Sequence, residues 1–97
     1  MSKTQQEIIN DIANYFKGEA YVGCYVGITS DIDSRLFGDH NATKKNGRWL
    51  YRTASSHVVA RKIEKHFLDI GMDGGGGGGD ETSNIVYVYK KTSLTKQ

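Results

Sequence analysis

The chain has 97 residues, with 13 Lys and Arg against 11 Asp and Glu for a net charge of +2, a length that fills one domain and leaves little room for a second core. Its composition, 37% apolar and 25% charged, is that of an ordinary globular chain, and no apolar run approaches the roughly 18 residues needed to span a bilayer. A single cysteine excludes an internal disulfide, and so mild a positive charge is compatible with a phosphate-bearing partner without arguing for one.

The Met-Ser-Lys-Thr start lacks an apolar signal stretch, which predicts a cytoplasmic location. Ser2 with Gln5, or Thr4 with Glu7, offers a capping box, and Ile8, Ile12 and Phe16 form an i, i+4 stripe, so the spacing predicts an amphipathic helix ending near Gly18. A strand follows over Tyr21–Ile28. Val22, Cys24, Val26 and Ile28 alternate onto one face, and Tyr21, Gly23, Tyr25 and Gly27 onto the other. Glycine inside a strand loses entropy and packing, so the two glycines imply a close approach by a ligand or by another part of the chain. Cys24, on the apolar face, reads as a buried structural thiol.

Ser30 or Asp31 can cap a short helix carrying Arg35 and stopping near Gly38. The polar stretch from Asp39 to Arg48 reads as a surface loop with a turn at Asn46-Gly47. Trp49–Arg52 is rich in strand formers, and the hydroxyls at Thr53, Ser55 and Ser56 precede a helix over about Ser56–Ile70 with Gly71 at its end. Glu64 stands beside the apolar stripe of that helix, at i+4 from Ala60 and i−4 from Leu68, and borders the core. The six glycines of Gly74–Gly79 are not followed by the Lys and Ser/Thr of a phosphate loop, and read as a flexible connector to a last strand, Ile85–Lys90. The run is also suited to close packing over a neighbouring strand, since glycine permits close approach. In that strand Val86 and Val88 alternate with Tyr87 and Tyr89. The expected fold is one α/β domain over residues 1–97, a small, mainly antiparallel three-stranded sheet flanked by helices.

The side chains able to do chemistry are Tyr25, Arg35, His40 and Glu64, with Asn84 a weaker candidate. The set suits phosphodiester hydrolysis: a glutamate can hold a divalent metal through oxygen, an arginine can grip a phosphate, and a tyrosine or histidine can orient or deprotonate water. Lys44, Lys45, Arg48 and Arg52 lie near Trp49 and Tyr51, a basic, aromatic mixture suited to a phosphate backbone and equally to solubility.

Tyr25-Val26-Gly27, Arg35 ten residues after the tyrosine, His40, a short strand Trp49–Thr53 and the helical run Ala60-Arg-Lys-Ile-Glu64 together resemble the GIY-YIG nuclease family over about Tyr21 to Gly71. The resemblance implies metal-dependent cleavage of DNA. Glu64 would hold one Mg²⁺ or Mn²⁺, Arg35 would neutralise charge on the phosphate, and Tyr25, with a second tyrosine or His40, would position the nucleophile. The family's first signature, a Gly-Ile-Tyr-like strand upstream, is not recognisable here: Tyr15 has the spacing and Tyr21 the strand context, but neither has both. The expectation is that Ile85–Lys90 pairs beside the opening strand and supplies Tyr87 or Tyr89 from the other end of the chain. Two other readings stand beside the endonuclease. One is the same fold without catalysis, binding nucleic acid or a protein; the other is an interaction domain that meets no nucleic acid.

Overall fold

The computed structural model describes residues 4–18, 20–31, 49–74 and 83–91. The first helix, α1 (Gln5–Tyr15), begins with Thr4 as N-cap: Glu7 N donates to Thr4 Oγ1 at 3.2 Å, and Thr4 N donates to Glu7 Oε1 at 2.9 Å. Of the two capping boxes open in the sequence, the second forms. Ile8, Ile12 and Phe16 are wholly buried along one side, as the stripe requires.

The opening strand is shorter than its alternation suggests. Tyr21–Gly23 form a 3₁₀ turn, in which Gly23 N donates to Ala20 O at 2.9 Å, and strand β1 is Cys24–Thr29. The turn brings the Tyr21 ring edge-on to Phe67, with centroids 6.0 Å apart, and leaves Val22 72% exposed instead of sharing a face with Cys24. Long-range packing of one aromatic ring thus overrides the local period.

Strand β2 is Trp49–Thr53, helix α2 is His57–Asp69 and strand β3 is Ile85–Lys90. Ser56 caps α2 by accepting from Val59 N at 3.3 Å. At the other end Gly71 takes φ +120°, with Gly71 N donating to Leu68 O and Met72 N to Phe67 O, the paired bonds of a Schellman cap. The buried side of α2 is Ala60, Ile63, Glu64 and Phe67. Val59 is only partly buried and Ile70 is 47% exposed, so the helix is turned slightly toward Glu64 relative to the Val59–Ile63–Phe67–Ile70 stripe.

The sheet order is β1-β3-β2, with both pairings antiparallel. Two helices and a three-stranded antiparallel sheet thus make a small mixed α/β fold. Cys24, Val26, Ile28, Val86 and Val88 face the helices and join Ile8, Ile12, Phe16, Ala60, Ile63 and Phe67 in one apolar core. Arg52 ties the far edge of this layer, its Nε donating to Asp11 Oδ2 of α1 at 2.9 Å and its Nη1 to the Tyr51 carbonyl at 2.8 Å. Arg52 therefore braces β2 to α1. Lys44, Lys45 and Arg48, and the short helix expected after Asp31, lie outside the described residues.

The outer edge of β1 is closed by residues 72–74. Asp73 N donates to Cys24 O and Val26 N to Asp73 O, each at 2.9 Å, forming one parallel bridge. Lys91 Nζ holds the Asp73 carboxylate at 3.2 Å. Gly74, first of the glycine run, packs so closely that a Cβ there would stand 2.6 Å from Val26 O and 2.8 Å from Leu68 Cδ2. The obstacle is partly backbone and cannot swing away. Gly74→Ala is expected to destabilise the fold by about 1 to 2 kcal/mol and to speed hydrogen exchange at the Val26 amide. An unchanged melting temperature and an unchanged Val26 amide would refute that packing.

Candidate functional site

The second face of the sheet is aromatic. In register, Tyr25 faces Tyr89 and Trp49 lies on the far side of Tyr89; one step along, Gly27 faces Tyr87 and Tyr51 lies beyond it. Residues at matched positions of neighbouring strands share a face, so β3 brings both of its tyrosines to the side that carries Tyr25. The Tyr25 and Tyr89 rings stack with centroids 5.3 Å apart, and Tyr25, Tyr87 and Tyr89 are all buried, with Trp49 packed against them.

Gly27 is what admits Tyr87. Its backbone is extended, not left-handed, so glycine is needed here for space. A Cβ at Gly27 would fall into the Tyr87 phenol, 2.5 Å from Cζ and 2.9 Å from Cε1. The close approach implied by the two strand glycines is thus met at Gly27 by another part of the chain. At Gly23, in the 3₁₀ turn, a Cβ would meet nothing within 4 Å.

Glu64 sits in the helical layer. Helix α2 starts where Ala54 N donates to Asn84 O at 2.7 Å, beside the Thr29 and Ile85 end of the sheet, and it finishes where Phe67 meets Tyr21. It therefore runs antiparallel to β1, with Leu68 against the Val26 and Gly74 edge. One helical turn back from Leu68 is about 6 Å, or about two strand residues, which sets Glu64 level with Ile28. The Glu64 side chain is 4% exposed, and burial holds its carboxyl above the usual 4.5 against the opposing pull of Arg61. No hydrogen bond joins it to a described residue, and no fully buried polar atom there lacks a partner, so the carboxylate oxygens retain some contact with solvent.

Of the residues singled out in the sequence, Tyr25 and Tyr87 thus lie on one face of adjacent strands. Glu64 stands on the opposite face, at the outer edge of β1, and does not hydrogen-bond to either. Arg35 and His40 lie outside the described residues. Tyr15 is on α1 against Phe16, and Tyr21 is in the turn against Phe67, so neither joins the aromatic face. Asn84 acts structurally. Its Nδ2 donates to Ala54 O at 3.4 Å, completing a two-bond clamp between the start of β3 and the segment leading into α2. His57 and His66 belong to α2, and among the described residues no three of His, Cys, Asp and Glu cluster as metal ligands. The stacked pair Trp49 and Tyr51 emerges as a feature of this face; alternation along β2 places the two rings together once that strand is fixed.

The chain matches no protein-family model, no curated protein and no solved structure. Among the described residues, no helix is long and apolar enough to cross a membrane.

Proposed function

We propose that the chain is a GIY-YIG-like endonuclease domain that hydrolyses DNA phosphodiester bonds with Mg²⁺ or Mn²⁺. The observation that carries this reading is the pairing of β3 beside β1, which puts Tyr87 against Gly27 and Tyr89 opposite Tyr25. The resemblance requires a second tyrosine beside Tyr25, and the end of the chain supplies it where the upstream sequence does not. Glu64 enters this reading through the resemblance alone, since it stands on the opposite face of the sheet from the tyrosines.

One carboxylate, completed by water and phosphate oxygens, is a donor set that Mg²⁺ accepts, and the hard oxygens of Glu64 fit it. Glu64 would hold the metal, which would supply Lewis acidity to a water and to the departing oxygen. Tyr87, fixed by packing over Gly27, and Tyr25, fixed by stacking on Tyr89, are held with little rotational freedom left to lose. Their hydroxyls serve to orient the attacking water and draw off its proton in the company of His40. Arg35 neutralises charge on the phosphate as the fifth bond to phosphorus forms.

A second reading, the same fold acting only as a binding module for nucleic acid or protein, draws support from Glu64 itself. Its burial favours the protonated acid, which does not bind metal, and no cluster of further ligands surrounds it among the described residues. Cleavage of plasmid and of a labelled single-stranded DNA together decides between them. The nuclease gives Mg²⁺- or Mn²⁺-dependent cleavage that disappears in Glu64→Ala. No metal-dependent cleavage of either DNA, or cleavage that survives Glu64→Ala, overturns the nuclease reading, and salt-sensitive DNA retention without cleavage selects the binding module.

A further inference from the structure

We infer that the Trp49 and Tyr51 pair on β2 is a stacking platform for the unpaired bases of a single-stranded nucleic acid. This deepens the nuclease reading by naming the form of its substrate, and it rests on that reading for the chemistry but not for the binding. The two rings lie nearly parallel, 10° apart with centroids at 6.1 Å. Trp49 is half-buried and anchored against the Tyr25, Tyr87 and Tyr89 cluster, while Tyr51 is 40% exposed. Among the described residues Tyr51 makes no ring contact other than that with Trp49. The outer ring is thus propped by the inner one and keeps a π-face toward solvent.

Its place in the sheet gives the platform a direction. Tyr51, Tyr87 and Gly27 form one cross-strand row, with neighbouring strands about 4.8 Å apart. A base stacked on Tyr51 would thus lie at the exposed β2 end of that row, one strand away from the buried Tyr87. Charge agrees with that occupant. The strand positions on this face are Tyr25, Gly27, Thr29, Trp49, Tyr51, Thr53, Ile85, Tyr87 and Tyr89, and none is acidic. In the sequence Arg48 immediately precedes Trp49. Tyr25, Gly27, Thr29, Tyr87 and Tyr89 are buried, so the open part of this face is the β2 edge with Tyr51 and Thr53. A polyanion can lie along that edge without meeting a strand carboxylate, and base stacking on an aromatic ring tolerates any base because every base has a π-face. A duplex hides those faces in its own stack.

Trp49 is the only tryptophan and reports directly on the site. The full chain in EDTA, where hydrolysis is suppressed and only binding is read, is titrated with an oligothymidylate or oligouridylate of about ten nucleotides and with a duplex of the same length. The expected result is saturable quenching of Trp49 by a single strand and little by the duplex. Tyr51→Ala should weaken the binding about tenfold or more, and Tyr51→Phe, which keeps the ring, should retain it. The stronger of the two single strands identifies the sugar that is preferred. No saturable quenching, equal quenching by the duplex, or binding unaffected by Tyr51→Ala overturns the platform. Because nicking is measured separately with Glu64→Ala, loss of one result leaves the other standing.

Discussion

Gly27→Ala is expected to lose about 3 kcal/mol of stability, a fall in melting temperature of roughly 12 °C or more for a chain of this size. The reason is a single collision. The new methyl group would occupy the space of the Tyr87 ring, and Tyr87, 1% exposed in the middle strand, has no open side to turn toward. The ordinary effect of the substitution runs the other way, since alanine loses less backbone freedom than glycine and Gly27 is not at positive φ. Leucine at position 87 lacks the ring atoms that the methyl group meets. In a Tyr87→Leu background the cost of Gly27→Ala is therefore expected to fall below about 1 kcal/mol, a coupling of about 2 kcal/mol in a double-mutant cycle. Chemical denaturation of the four proteins measures it. Equal costs in both backgrounds would mean that Tyr87 does not lie over Gly27, and the pairing that supports the proposed site would go with it.

What could be read from the sequence was whatever the local pattern determines. Thr4 and Glu7, three residues apart, contain the cap of α1, and the Val and Tyr alternation in Ile85–Lys90 contains β3 with both of its faces. The position of Glu64 beside Ala60 and Leu68 was enough to place it at the core border, where it is found. The failures come from distant partners. Tyr21 leaves the strand because Phe67, far along the chain, receives its ring. Asp73 joins β1 through backbone atoms alone, which no side-chain pattern announces. The alternation of Tyr25 and Gly27 told of a close approach, but choosing Tyr87 over a ligand needed the strand register. Arg52, read with the basic loop, was claimed by Asp11 because alternation along β2 turns it to the helical face.

Glu64→Gln separates the chemistry of the site from the stability of the fold, because the two respond in opposite directions. Loss of the metal's Lewis acidity removes several kcal/mol of transition-state stabilisation, so nicking should fall at least about a hundredfold. Stability should not fall with it. Burial raises the folded-state pKa of Glu64 above its unfolded value, so the stabilisation tied to its proton is fully present below the unfolded pKa and is lost as pH rises through the folded one. Glutamine mimics the protonated acid and does not titrate. The variant should therefore melt higher than the native protein at pH 7 to 8, and the gap should close as pH falls below the usual carboxylate value of 4.5. On the proposed reading Mg²⁺ should oppose that gap, because it would bind the carboxylate that burial disfavours. At ten times its Kd it would return about 1.4 kcal/mol to the native protein and nothing to the variant, and this rescue should grow with pH as the competing proton leaves. Thermal melts across pH, with and without Mg²⁺, read all three trends. A gap that ignores pH would show that Glu64 is not a buried acid, and a variant still stabilised by Mg²⁺ would place the metal elsewhere.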